Sequence, residues 1–138
     1  MFEWAEFKNR LRYRLTGEAH GFKAMRPNMT CRDFQFGIDK FHHDGPVIPC
    51  ESGFHFCWDI EDLQRYYSHR CRIFRVKGSG TVVFDYNKMV CSDIEIIEEI
   101  DYNDLHWRLD SCDWVKSVCR YNRSLAEQKK MAGIDILI

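Results

Sequence analysis
Apolar and polar positions alternate along this chain with two different periods, and each change of period marks an element. In residues 2–16, Phe7, Leu11 and Leu15 stand at i, i+4 and i+8, with Lys8, Arg10, Arg12 and Arg14 on other faces. That spacing predicts an amphipathic helix ended by Gly17. From 21 to 48 the pattern shortens to alternating pieces, 32–36 and 40–42, broken by Gly37 and by Asp44-Gly45-Pro46, as strands joined by turns are. Gly53-Phe54-His55-Phe56-Cys57 alternates again, and Asp59, with Asp62 and then Leu63, Tyr66 and Tyr67, predicts an N-capped helix of about three turns. Segments 71–76, 81–86 and 89–100 are rich in Ile, Val and Phe and are separated by Gly78-Ser79-Gly80 and Asn87-Lys88, so a meander of three strands is expected. Beyond Asp101, Leu105, Leu109, Cys112, Val115 and Cys119 recur at three and four. Leu125 and Met131 continue that helical pattern, after an expected break near Asn122 and as far as Gly133. The final Ile134-Asp135-Ile136-Leu137-Ile138 reads as a packed terminus, with an edge strand or a partner contact as alternatives.

This order predicts an α+β fold: a mostly antiparallel sheet with an N-terminal helix, one internal helix and C-terminal helices. No linker or repeat divides the chain, so residues 1–138 are read as one domain, long enough to fold without disulfides or metal. Twenty basic residues against 21 acidic ones, a net charge of -1, argue against a surface devoted to nucleic acid, and direct nucleic-acid binding is not expected. No apolar run approaches the roughly 20 residues needed to span a bilayer. The seven cysteines are an odd number, and Met1 leads into a charged stretch rather than a secretory signal. Reduced thiols in a cytosol are therefore expected, most of them packing as small hydrophobes.

Four segments carry a family likeness: Gly-Phe-Lys-Ala at 21–24, Cys-Arg-Asp-Phe-Gln-Phe at 31–36, Cys-Glu-Ser-Gly-Phe-His-Phe-Cys at 50–57, and Tyr66-Tyr67 before a strand. Residues 21–100 thereby resemble a family of phage and prophage proteins, a domain of unknown function often placed at the N-terminus of longer proteins. Asp33 departs from the glycine expected there, and the module stands between its own helices, 1–17 and 103–132. The resemblance implies a mobile-element origin and a bacterial cytosolic setting, and it leaves the chemistry open.

Several constellations offer chemistry. Cys31, Cys50, His55 and Cys57 are the best zinc candidates by ligand type, although Cys50-x6-Cys57 is not a short zinc knuckle, and packed core thiols with a hydrogen-bonded histidine are the simpler expectation. His55 beside Cys57, with Glu51 to orient the ring, would suit a thiol nucleophile. His42-His43 beside Asp44 is expected to be turn chemistry. By analogy of element order, His20-Gly21-Phe22, Gly53-Phe54, Tyr66-Tyr67 and the acidic strand 95–99 could be laid onto the NAD cleft of an ADP-ribosyltransferase, with a glutamate, Glu98 or Glu99, stabilising oxocarbenium charge. Charge is also uneven: residues 85–113 hold nine acids against Lys88 and Arg108, and residues 1–26 hold six cations against three acids. An acidic ridge of that kind can steer onto a basic groove of a partner.

The leading expectation is a phage or prophage interaction protein, without assigned catalysis or cofactor, that binds and inhibits a host protein or protein–nucleic acid complex, with anti-defence and anti-CRISPR action foremost. Asp93, Glu95, Glu98, Glu99, Asp101 and Asp104 are expected to supply recognition charge, with Trp107 or Trp114 as an apolar anchor. The alternatives are a NAD-dependent ADP-ribosyltransferase-like enzyme and a zinc-supported binding module.

Overall fold
A computed structural model describes residues 4–137, apart from the side chains of Ala5 and of 134–137. Helix α1 (Trp4–Thr16) leads into strand β1 (Ala19–Met25), and a small hairpin of β2 (Thr30–Cys31) and β3 (Phe34–Gln35) precedes β4 (Lys40–His42) and β5 (Phe54–Phe56). A 3-10 helix, Ile60–Arg65, then connects to two long strands, β6 (Arg72–Asp85) and β7 (Lys88–Glu99). The chain closes with a π-helical turn, His106–Asp110, and helix α2 (Asp113–Leu137). The fold is α+β, and every strand pair is antiparallel. The main sheet runs β1-β6-β7-β4, with β5 also on β7.

The β6–β7 hairpin is the frame, and it has two strands where the sequence predicted three. Gly78-Ser79-Gly80 is not a turn. It lies inside β6 at a bulge, where the register on β7 shifts between Ser79 and Val82 and Gly80 takes a φ of 73°. Gly78 is required for packing, because a Cβ there would stand 2.7 Å from the Phe56 ring. The true reversal is at Tyr86 and Asn87, between the paired Asp85 and Lys88, with Tyr86 at a φ of 58°.

Alternation along the strands sends successive side chains to two cores. Phe74 and Met25 join Phe54, Phe56, Met89 and Ile96 in one, and their chain neighbours Ile73 and Ala24 join Leu63, Cys71, Val115, Val118 and Cys119 in the other, under α2. Four cysteines, Cys57, Cys71, Cys91 and Cys119, are buried, as small hydrophobes are.

The helices correct several expectations. Gly17, at a φ of 76°, ends α1 by donating to the Tyr13 carbonyl, but Phe7, Leu11 and Leu15 are all exposed. The side facing the sheet is polar at its contacts: Asn9 is buried and accepts the His20 amide, Tyr13 donates to the Gly80 carbonyl, and the Arg10 guanidinium lies over the Phe84 ring. Asp59 caps the internal helix by accepting from the Glu61 amide, yet that helix has only six residues. No break occurs at Asn122. This residue is buried within α2, and its amide donates to the Cys71 and Val118 carbonyls, so a polar side chain that reads as a helix breaker serves as a tether. The interruption lies instead at Ser111, which is extended between the π-turn and α2. Gly133 sits within α2, and positions 134–137 are helical rather than an edge strand. The apolar side chains of that terminus lie outside the described residues. Among the described residues no helix is long and apolar enough to cross a membrane.

Candidate functional site
Strands β1 and β5 belong to opposite sides of the β6–β7 hairpin, and one backbone bridge just past β5 joins them. Phe22 and Cys57 exchange backbone hydrogen bonds of 2.7 and 3.0 Å, and Gly21 permits the approach, since a Cβ there would fall 2.3 Å from the Cys57 carbonyl oxygen. Past this bridge the two strands are unpaired with each other, and a cleft of about 380 Å³ lies between them, walled also by the β2 end and the 3-10 helix. Among the described residues four cations line it, Lys23, Arg26, Arg32 and Lys88, and no aspartate or glutamate does.

Lys23 is the deepest of these, only 5% exposed. Its ammonium donates to the His55 carbonyl at 2.6 Å and lies over the Phe36 ring. Burial pushes its pKa down, against the contrary pull of the neighbouring Cys31, Cys91 and Cys57 sulfurs. Cys31 is hydrogen-bonded to the Tyr67 hydroxyl, and burial together with that bond pushes the Tyr67 phenol up. Tyr67 is held from behind, where the Trp114 indole of α2 donates to its carbonyl at 3.1 Å. Arg26 donates to the Arg32 carbonyl at 2.9 Å, and Arg32 in turn donates to the carbonyls of Cys50 and Glu51. Lys88 lies over the Tyr66 ring and hydrogen-bonds the Cys50 sulfur; that bond raises its pKa against burial. Asp85, 3.8 Å from the same ammonium, lies outside the cleft lining. Arg32 and Cys50 both take left-handed φ values, 55° and 66°, uncommon for residues with a side chain and costing on the order of 1 kcal/mol each.

His55 closes this network. Its Nε2 accepts the Cys50 amide at 2.8 Å. Burial first, and then the charges of Lys23, Arg32 and Lys88, lower its pKa to about 4, so the ring is neutral near pH 7 and Nε2 is free to accept. Cys57 is pushed up to about 12 by burial and by Asp62. A weakly basic His55 already bonded to a backbone amide, beside a thiol that stays protonated, is not an assembled nucleophile–base pair. The four zinc candidates, Cys31, Cys50, His55 and Cys57, do all line the cleft. Among the described residues, however, no group of three or more His, Cys, Asp or Glu is arranged to hold a metal ion. Cys31, Cys50 and His55 instead engage Tyr67, Lys88 and the Cys50 amide.

The acidic residues singled out from sequence lie elsewhere, and most are paired across the sheet. Glu99 forms a bidentate contact with Arg72 at 2.8 and 2.9 Å and also accepts the Tyr102 hydroxyl. Burial would raise its carboxyl, but these bonds outweigh it and hold the pKa below the usual range. Glu98 meets Arg75 at 3.4 Å, Glu95 meets Lys77 at 3.5 Å, and Asp93 bonds His42 at 2.7 Å. Asp101 and Asp104 accept the backbone amides of Asn103 and His106. Trp107 packs edge-on against Phe22 and near the Arg75 guanidinium, and Trp114 belongs to the second core. Glu98 and Glu99 are both outside the cleft, so the carboxylate of the transferase analogy and its Gly21, Gly53 and Tyr66 parts are not brought to one cleft wall.

The four cations of the cleft were not joined into one site in sequence, because they come from β1, two loops and the start of β7. One signal pointed to the cleft: segments 21–24, 31–36, 50–57 and Tyr66-Tyr67 supply Lys23, Ala24, Cys31, Arg32, Cys50, His55, Phe56, Cys57 and both tyrosines to the lining. No curated protein and no solved structure gives a significant match to the chain. A family described as a domain of unknown function, DUF7666, matches residues 19–108, more than half of the chain and the whole of the cleft; the chain belongs to the DUF7666 family.

Proposed function
We propose that the chain is a binding module whose cleft between β1 and β5 captures a phosphorylated small molecule. The observation that carries this reading is the set of Lys23, Arg26, Arg32 and Lys88 around one cleft with no carboxylate among the lining residues. A buried cation without a counter-ion is costly, by several kcal/mol even after relaxation. An anion entering beside Lys23 supplies the missing charge, and Arg26 and Arg32 offer the forked donors that suit phosphate oxygens. The volume lies within the range of ordinary small-molecule sites. Tyr66 and Tyr67 add aromatic surface for the remainder of such a ligand. In the setting the resemblance implies, a phage or prophage protein in a bacterial cytosol, an anti-defence protein would act by holding a host molecule in this cleft.

The test is calorimetric titration with inorganic pyrophosphate. Saturable binding is expected, because the anion brings its charge beside Lys23, Arg26, Arg32 and Lys88. Absence of saturable binding would overturn the reading.

A second reading, docking of a host macromolecule on acidic charge, is favoured by one place. Around the π-helical turn Leu105 and Leu109 are exposed beside Asp101, Asp104 and Asp110, an apolar patch with an acidic rim. Exchanging those three acids for lysine is expected to weaken capture of a basic host partner about tenfold or more, and unchanged capture would dismiss it.

A further inference from the structure
The thiols of this chain differ in what surrounds them. Cys57, Cys71 and Cys91 are buried and pushed up to about 12, in each case first by burial. Cys119 is also buried and raised. Cys31 is engaged by the Tyr67 hydroxyl, and Cys112 packs against the second core. Cys50 alone of the seven is exposed, and it sits at the cleft with the Lys88 ammonium on its sulfur and the Arg32 guanidinium on its carbonyl. Its backbone is fixed from both sides: the amide is bonded to His55, and the φ of 66° holds the residue in a conformation that side chains rarely adopt. Strained residues of this kind concentrate at functional sites, and reactive cysteines occupy electropositive, accessible places.

We infer that Cys50 is a thiol–disulfide exchange site for small anionic disulfides, of which oxidised glutathione is the representative. This rests on the reading of the cleft as an anion site. The Cys50 thiol loses its proton to solvent and its sulfur attacks one sulfur of the reagent. A bond forms between Cys50 and that half, the bond of the reagent breaks, and the electron pair leaves with the other sulfur, which is then protonated. Cys50 is oxidised, the departing half is reduced, and no further oxidant is needed. Negative charge is shared among three sulfurs at the moment of exchange. The fixed ammonium of Lys88 is placed to stabilise it, as preorganised charges do at reacting centres. The carboxylates of an incoming glutathione half meet the same cations that would hold phosphate, whereas a cationic disulfide is repelled.

The experiment treats the reduced full-length chain with oxidised glutathione or with cystamine, a cationic disulfide, and follows each cysteine by peptide mass mapping. The same chain unfolded in denaturant gives the intrinsic preference between the reagents. Cys50 is expected to be modified first, with a preference for glutathione over cystamine at least about tenfold above that of the unfolded chain. Lys88→Met is expected to abolish the excess preference and Lys88→Arg to retain it. Modification of another cysteine first, or a preference equal to that of the unfolded chain, would overturn the inference. Pyrophosphate titration of the wild type separates the two claims. Saturable binding with no charge preference at Cys50 sinks this inference alone, and no saturable binding sinks both.

Discussion
Two charged regions of this protein, the β1–β5 cleft and the β6–β7 hairpin, contain similar side chains in different states of compensation. Along the hairpin, on both of its faces, the strand pairing that sets the backbone also sets the charges: Arg72 meets Glu99, Arg75 meets Glu98, and Lys77 lies between Glu18 and Glu95. In the cleft Lys23, Arg26, Arg32 and Lys88 face backbone carbonyls, a thiol and aromatic rings. Cross-strand ion pairs on an exposed sheet add modestly to stability and keep edges from pairing wrongly. The cleft cations, of which Lys88 also meets Asp85 outside the lining, do neither, so their arrangement is the one that calls for a ligand.

This contrast can be broken most severely at the cleft. Replacing Arg32 and Lys88 together by alanine is expected to weaken pyrophosphate binding about a hundredfold, as two charge-assisted contacts are lost, and calorimetry with the double variant checks it. On the hairpin the largest response belongs to Glu99, because Arg72 and Tyr102 both depend on it. Glu99→Gln should cost about 2 kcal/mol of stability in a denaturant titration while leaving pyrophosphate affinity unchanged.

His55 has a folded pKa lowered to about 4 from 6.5, so its contribution is fully present above pH 6.5 and is lost as the pH falls toward 4, where the unfolded chain binds a proton that the fold refuses. Glu99, also lowered, contributes above its ordinary 4.5 and loses that contribution as the pH falls below it. Thermal midpoints should therefore decline between pH 6.5 and 4 before Glu99 contributes, and His55→Gln should flatten that first decline. The smallest effect is expected at Glu98, whose contact with Arg75 is exposed. Glu98→Gln should change stability by no more than about 0.5 kcal/mol, a result that chemical denaturation resolves as a near-null against Glu99→Gln.

Local periodicity made much of the fold legible in sequence, and non-local contacts decided what it missed. Helix α1 follows from the spacing of Phe7, Leu11 and Leu15, but that spacing says nothing of which face docks, and Asn9 and Tyr13 turn inward because β1 and the bulge at Gly80 offer them partners. Gly78 and Gly80 read as a turn because glycine punctuates chains; here they accommodate the Phe56 ring and a bulge, contacts from residues far away in sequence. Asn122 reads as a break because its second partner, the Cys71 carbonyl, is invisible locally. The candidate site was half legible. Cys31, Cys50, His55 and Cys57 stood out as chemistry-bearing residues and do share one cleft, whereas the charge counts held Lys23, Arg26 and Lys88 without joining them to Arg32 or to one another. Counting acids within residues 85–113 produced an apparent ridge because Arg72, Arg75, Lys77 and His42, which balance it, fall outside the window.

The most direct measurement is a heteronuclear NMR titration of the full chain with inorganic pyrophosphate. Saturable shifts are expected at Lys23, Arg32, Cys50, His55 and Lys88, with Asp93, Glu95 and Glu98 unmoved. Shifts that fail to saturate, or that fall equally on those three acids, would contradict the cleft as the binding site.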